Sequence, residues 1–77
     1  MMFYRVMTGR IKGLDNARRV AGELKEMGYT ELLVTTFGSD YCVEVISSSD
    51  KAKVDKAKAD IESVTGKRAA VQSTVVR

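Results

Sequence analysis

Apolar and polar residues do not alternate cleanly in the first stretch of the chain, which reads FYRVMTGR. Successive side chains of a strand point to opposite faces, so Tyr4 and Val6 are expected to share one face. Phe3, Arg5 and Met7 then share the other face. A water-facing side of a sheet should be mainly polar. The bulk of Phe3 and Met7 therefore indicates that the second face meets something other than water.

Two longer segments show the 3.6-residue periodicity of amphipathic helices. They read LDNARRVAGELKEMG and SSDKAKVDKAKADIESVTG, and their outward positions are mostly charged. Gly28 and Gly66 follow the last periodic residues, where glycine commonly ends a helix. The N-cap of the second helix is expected at Ser48 or Ser49. The apolar stripes, which are predicted to form half of the core, are Ala17, Val20, Ala21, Leu24 and Met27, and Val54, Ala57, Ile61 and Val64.

The remaining segments are rich in β-branched or aromatic residues, which favours strands: FYRVMTG, TELLVTTF, YCVEVIS and AAVQSTVV. Gly38-Ser39-Asp40 is predicted to turn the second strand into the third as a hairpin. The two halves of the chain also match at an offset of 37 residues, as Tyr4-Arg5-Val6 matches Tyr41-Cys42-Val43. The chain therefore repeats one βαβ unit.

Right-handed crossovers place both helices of such a repeat on the same face of one antiparallel sheet. The sequence thus predicts the α+β class and a βαββαβ ferredoxin-like (RNP-like) fold with a four-stranded antiparallel sheet. The strand residues expected to pack beneath the helices are Tyr4, Val6, Tyr41, Val43 and Val45.

The opposite face of the sheet is predicted to stay uncovered. Its expected residues are Phe3, Arg5 and Met7 of the first strand, Cys42, Glu44 and Ile46 of the third, and Ala70, Gln72 and Thr74 of the last. The facing of the second strand is open, because Leu32, Leu33 and Val34 are all apolar and a one-residue slip exchanges the faces. Exposed apolar groups mixed with polar ones are typical of a binding surface. The alternative is a surface covered by the rest of a longer protein or by a second copy.

Composition places the chain among ordinary globular domains, and residues 1–77 are expected to form a single one. Apolar residues make up 44% and charged residues 30% of the sequence. No apolar run approaches the roughly 20 residues that cross a bilayer. The net charge of +3 is compatible with an anionic partner such as nucleic acid or a cell-wall polymer, although a small surplus of solvated lysines also explains it.

Catalytic and metal-binding patterns are absent from the sequence, so neither an enzyme nor a cofactor is expected. The chain has no histidine, the commonest general base and metal ligand. Its one cysteine, Cys42, excludes an internal disulfide and a cysteine-pair metal site. The stretch Gly9–Gly13 is too short for a phosphate-cradling loop, but its basic residues Arg10 and Lys12 are placed to touch an anionic ligand at the sheet edge.

Each half of the chain carries a set of short motifs: Tyr4, Val6, Gly9, Asn16-Ala17 and Gly28-Tyr29 in the first half, and Tyr41, Val43 and the helix-ending Gly66 in the second. At these positions both halves resemble the SPOR domain, a bacterial sporulation-related repeat that binds peptidoglycan. The chain departs from the family pattern at Met7, where a glutamine is usual, at Arg10-Ile11, where serine and phenylalanine are usual, and at Ile46-Ser47, where Gly-Pro is usual.

The resemblance implies a non-catalytic module that binds peptidoglycan glycan strands on the sheet face away from the helices. It also implies a place at the bacterial cell wall, outside the cytoplasm, within a longer protein. Cell-wall amidases, phage endolysins and division proteins carry such modules, which target them to the wall. The ligand-binding residues are then expected on the open face and its edge: Phe3, Arg5, Met7, Arg10, Cys42, Glu44, Ile46, Gln72 and Thr74.

Two other functions share this order of elements. RNA-recognition domains stack bases on exposed aromatic residues of the two central strands. Here only Phe3 is a candidate, and the negative charge of Glu44 on the third strand opposes phosphate, so nucleic acid is not the expected partner. The second alternative is a protein-interaction module whose open face packs on its twin in a homodimer.

Overall fold

The element order and the sheet agree with the prediction. The structure is a computed structural model and describes residues 1–76. Its elements are β1 (Met2–Met7), α1 (Leu14–Glu26), β2 (Leu33–Phe37), β3 (Asp40–Ser48), α2 (Lys51–Thr65) and β4 (Ala70–Val75). The strands join in the order β2-β3-β1-β4, and every neighbouring pair is antiparallel. The α+β class and the βαββαβ ferredoxin-like arrangement are therefore confirmed.

The internal repeat is visible in the structure at the offset that the sequence shows. Helices α1 and α2 begin 37 residues apart, and so do strands β2 and β4. Met7 and Glu44, which are equivalent residues of the two halves, are direct partners where β1 pairs with β3. The two halves are thus related by an approximate two-fold axis that passes between these residues, at the centre of the sheet.

The core lies between the sheet and the two helices. Valines of the central strands, Val6, Val43 and Val45, are fully buried. The helix stripes complete the cluster with Val20, Leu24, Val54, Ala57 and Ile61. One stripe residue departs from the expectation: Met27 is 41% exposed, because α1 ends at Glu26 and Met27 is its C-cap, beyond the end of the packed stripe.

The helix ends follow local chemistry. At the end of α1 the amides of Gly28 and Tyr29 donate to the carbonyls of Lys25 and Leu24, the two bonds of a Schellman motif, and Gly28 has the required positive φ of 107°. The N-cap of α2 is Asp50 and not Ser48 or Ser49. Its Oδ1 accepts from the amide of Ala52, two residues into the helix.

A β-bulge in β3 changes the facing of one predicted site residue. Val6 pairs with Ile46 but Met7 pairs with Glu44, which leaves Val45 as an extra residue. Val45 is fully buried, and Ile46 also packs against the core. The expected placement of Ile46 on the open face is therefore wrong. Ser47 pairs with Arg5 and occupies that place.

A side-chain network outside the core joins the end of α1 to α2. The hydroxyl of Tyr29 donates to Asp60 Oδ2 at 2.5 Å, and Lys56 Nζ donates to the same oxygen at 2.7 Å. The Lys56 ammonium also lies 5.6 Å from the centre of the Tyr29 ring. Tyr29 thus holds the two halves of the repeat together through one carboxylate.

Replacing Tyr29 by phenylalanine is expected to lower the free energy of unfolding by about 1 to 2 kcal/mol, because a bond to a charged acceptor is lost. Urea denaturation measures the change. Tyr41→Phe is the matched control, since it removes a hydroxyl from β3 without touching Asp60. Equal losses of unfolding free energy in the two variants would contradict a stabilising role for the hydrogen bond between Tyr29 and Asp60.

The same network predicts how stability depends on pH. Burial, followed by the bond to Asp60, raises the pKa of Tyr29 above its ordinary 10.0. The folded state then holds a proton that the unfolded state releases, so stability is expected to fall as pH rises above about 10. The bonds from Lys56 and Tyr29 lower the pKa of Asp60 from its ordinary 3.8, so stability also falls as pH drops below that value. Tyr29→Phe should flatten the alkaline slope.

Candidate functional site

The pairing registers bring twelve residues together on the sheet face away from the helices. Directly opposed residues of neighbouring strands share a face. The open face, as the term is used below, consists of Phe3, Arg5 and Met7 of β1, Cys42, Glu44 and Ser47 of β3, Ala70, Gln72 and Thr74 of β4, and Leu33, Thr35 and Phe37 of β2. Eight of these twelve were expected here from the sequence. Arg10 lies at one end of the face.

Strand β2 contributes the most exposed apolar groups, which the sequence left undecided. Leu33 and Phe37 are 52% and 51% exposed. Their facing follows from the hairpin: Phe37 pairs with Asp40 across a turn of two residues, Gly38 and Ser39. Of these two residues Gly38 alone has a positive φ, 62°, as in a type II′ turn. A two-residue turn read from Gly38-Ser39 would have placed Phe37 opposite Asp40, and hence on the same face as Cys42.

Arg5 is the polar centre of the open face. Its Nε donates to Glu44 Oε1 at 2.5 Å, and its Nη1 lies 3.4 Å from Gln72 Oε1. The bond to Glu44 raises the pKa of Arg5, which keeps the guanidinium charged. A guanidinium has five N–H donors, and these two bonds leave the others available. The Arg5 side chain is 48% exposed, so a ligand lying on the sheet can reach it.

The two ends of the open face differ in chemistry. At one end Phe3, Arg5, Ser47, Thr74 and Val76 line a shallow groove of about 340 Å³. It joins an aromatic ring to hydroxyl groups and a guanidinium, a combination that suits a ligand with both apolar and polar surfaces.

At the other end the guanidinium of Arg10 lies 5.0 Å from the centre of the Phe37 ring. Its Nε is 3.7 Å from Asp40 Oδ2. The ring and the carboxylate hold Arg10 at the end of the β2–β3 hairpin by a cation–π contact and an ion pair. Arg10 therefore lies at the sheet edge, as expected from the sequence.

Cys42 lies on the open face but offers little surface. Only 6% of it is exposed, and its Sγ is 3.1 Å from the hydroxyl of Thr35 on the neighbouring strand. Its thiol therefore fills space between the strands beneath the side chains that reach solvent.

The burial of Cys42 predicts that its thiol reacts slowly with an aromatic disulfide reagent while the chain is folded. In urea above the unfolding transition the same thiol should react within the mixing time, because the thiolate is then accessible. The absorbance of the released thiol measures both rates. If the folded chain reacts as fast as a free small-molecule thiol, the thiol of Cys42 is exposed to solvent and the prediction is wrong.

Within residues 1–76 there is no group of three or more side chains able to hold a metal ion. None of the helices in that range is both long and apolar enough to span a membrane. The carboxylates on or beside the open face, Glu44 and Asp40, are each paired with an arginine.

Comparisons with known proteins support the fold. No protein-family model matches the sequence, and no curated protein matches it. Among solved structures, the chain is similar to the solution structure of the peptidoglycan binding domain of the B. subtilis cell wall lytic enzyme CwlC. The TM-score is 0.68 at 24% sequence identity, over 97% of this chain and 92% of that one. The two chains therefore share one fold along nearly their whole length.

Proposed function

We propose that this chain is a non-catalytic module that binds the glycan strands of peptidoglycan on the open face. The observation that supports this most is the fold shared, over 97% of the chain, with a domain described as the peptidoglycan binding domain of a cell wall lytic enzyme. The resemblance to SPOR domains in both halves of the sequence leads to the same ligand independently of that comparison.

The chemistry of the open face fits a glycan. A pyranose ring has apolar C–H faces and a rim of hydroxyl and acetamido groups. Phe3 and Phe37 provide aromatic surface for the ring faces, and Arg5 provides hydrogen-bond donors for the rim. Glu44 and Gln72 carry carbonyl-type oxygens that accept from hydroxyl groups. Met7 adds a flexible apolar contact at the centre of the sheet, where a polar glutamine is usual in the family.

A module of this kind serves a larger protein. On this proposal, residues 1–77 form one SPOR-like cell-wall-binding domain that holds an attached hydrolase or division protein at the bacterial wall, outside the cytoplasm. The ligand-binding residues are then Phe3, Arg5, Met7, Arg10, Glu44, Gln72 and Thr74, joined by Phe37 and Ser47. Cys42 supports this surface from below, and Ile46 packs on the other side of the sheet.

A pull-down with purified sacculi tests the proposal. The chain should co-sediment with sacculi in physiological salt and remain bound when amidase has removed the stem peptides, because the glycan is the ligand. An unrelated basic domain with the same net charge of +3 is the control for charge alone. Retention no better than that of the control domain would sink the proposal.

Sedimentation equilibrium of the free chain distinguishes the dimer alternative. A glycan-binding open face predicts the mass of one chain, 8.5 kDa, across the concentration range. A mass that doubles with concentration, and that Arg5→Glu returns to one chain, would show instead that a second copy covers the open face.

A further inference from the structure

A cleft separate from the groove of the open face lies where the loop between β1 and α1 meets the end of α2. It has a volume of about 260 Å³. Its lining includes basic side chains, apolar side chains, the uncharged polar side chains of Thr8, Asn16 and Thr65, and the backbone of the loop. The basic group is Arg10, Lys12, Arg19 and Lys67, and the apolar group is Ile11, Val20 and Val64.

The cleft carries an excess of positive charge. Four of its lining residues carry a full positive charge, and no carboxylate is among the lining residues. Arg10 is paired with Asp40 and Arg19 with Glu23. Lys12 and Lys67 are exposed, and neither forms an ion pair with another residue in the range 1–76. Two of the four cations therefore have a carboxylate partner, and the two lysines have none from the described chain.

The loop that carries the basic residues is held in place. The amide of Ile11 donates to the carbonyl of Tyr41 at 2.7 Å, and the amide of Tyr41 donates back to Ile11 at 2.9 Å. Asn16 Nδ2 donates to the carbonyl of Lys12 at 2.8 Å. A preformed loop loses little conformational entropy when a ligand binds, which favours binding.

We infer that this cleft binds the phosphodiester groups of a linear polyol-phosphate polymer, the acidic polymer class of bacterial walls. Arginine presents a planar fork that suits phosphate oxygens, and lysine adds a compact point charge. The half-buried side chains of Ile11 and Val64 form an aliphatic floor, with the buried Val20 beneath them, that accommodates the carbon chain between successive phosphates. This site goes beyond the proposed glycan contact, although Arg10 borders both surfaces.

The lining distinguishes this ligand from two other anions. Nucleic acids also carry phosphodiesters, but single strands need aromatic platforms for their bases, and no aromatic side chain lines the cleft. A peptide stem of peptidoglycan offers isolated carboxylates, whereas the two lysines without an ion-pair partner, flanked by the two paired arginines, match a repeating anion. The cleft therefore fits a phosphodiester polymer that carries no nucleobases.

Purified poly(glycerol phosphate), titrated into the ¹⁵N-labelled chain at low salt, tests the assignment. Amide signals of Gly9 to Gly13 and of Thr65 to Lys67 should shift, and the double variant Lys12→Gln/Lys67→Gln should bind at least about 10-fold more weakly. Lys25→Gln/Lys58→Gln is the matched control, because it removes the same charge from helix positions outside the cleft. The control should keep nearly the affinity of the unchanged chain.

Three results would overturn the inference. Shifts confined to the open face would place the polymer elsewhere, equal losses in the two double variants would indicate charge alone, and tighter binding of a single-stranded RNA of equal charge would indicate nucleic acid. Sacculi stripped of phosphate polymers by acid separate the two proposals. The double variant Lys12→Gln/Lys67→Gln should bind stripped sacculi as tightly as the unchanged chain does. Failure of the unchanged chain itself to bind stripped sacculi would contradict the glycan proposal and leave the prediction for poly(glycerol phosphate) as it stands.

Discussion

Replacing Leu24 by alanine is expected to lower the free energy of unfolding by about 3 kcal/mol. Leu24 is fully buried among the core valines and Ile61, so the change leaves a cavity that the helices close only in part. A domain of this size has a total stability of about 4 to 12 kcal/mol, so this is a large share. Urea denaturation should show a lower midpoint at an unchanged slope.

Leu33 supplies the matched control, since Leu33→Ala removes the same atoms from an exposed position. Leu33 is 52% exposed, and its replacement should cost less than about 1 kcal/mol. Similar losses at the two positions would mean that the open face is packed against something in solution. That result would favour the dimer over the free binding surface.

Replacing Arg5 by glutamine is expected to weaken binding to sacculi by about tenfold or more. A charged group's hydrogen bonds contribute about 1.5 to 3 kcal/mol each, and tenfold corresponds to about 1.4 kcal/mol. Arg5 is the central donor of the open face and is held in position by Glu44 and Gln72. Its ion pair with Glu44 is partly exposed and screened by solvent, so the variant should keep nearly the stability of the unchanged chain.

Arg18→Gln is the control for this change, because it removes the same charge from an exposed position of α1. Its affinity for sacculi should stay within about twofold of the unchanged chain. If Arg18→Gln weakens binding as much as Arg5→Gln, attraction is a matter of net charge and the open face has no special role. A co-sedimentation isotherm in physiological salt measures both variants.

The sequence predicted the elements and the core because the two relevant signals are local and repeated. The helix stripes have a clear 3.6-residue period, and the same pattern occurs twice at one offset. The pattern in each half therefore supports the assignment of helices and strands in the other half. The facing of Arg5, Met7, Glu44 and Gln72 followed from simple alternation along regular strands.

The residues whose facing the sequence predicted wrongly or left open lie where the simple alternation of side chains between the two faces of the sheet fails. The bulge at Val45 and Ile46 is not visible in the sequence, because both residues are apolar and either facing keeps an apolar pattern. The facing of β2 depended on the exact length of its turn with β3. The sequence predicted a turn of Gly38-Ser39-Asp40, whereas Asp40 is the first residue of β3 and pairs with Phe37. The burial of Cys42 results from packing against Thr35 on that same strand.

On the proposed function, the different chemistry of the two ends of the open face sets a path for the glycan strand. Phe3 of β1 lies at one end of the open face and Phe37 of β2 lies at the other end, an arrangement that only the structure shows. Between them lie Arg5 and Glu44, the central ion pair. On that proposal, a glycan strand that contacts all of these groups would cross the sheet from the groove at Phe3 to the hairpin at Phe37.

The most direct test of the open face as the binding site is an NMR titration of the ¹⁵N-labelled chain with soluble peptidoglycan fragments released by muramidase. The proposal predicts concentration-dependent shifts of amides in β1, in β3 and at Phe37, together with the side-chain Nε signal of Arg5. Amides on the outer surface of α2, such as those of Asp55 and Glu62, should stay in place. Shifts centred on the helices, or no shifts at saturating fragment, would contradict it.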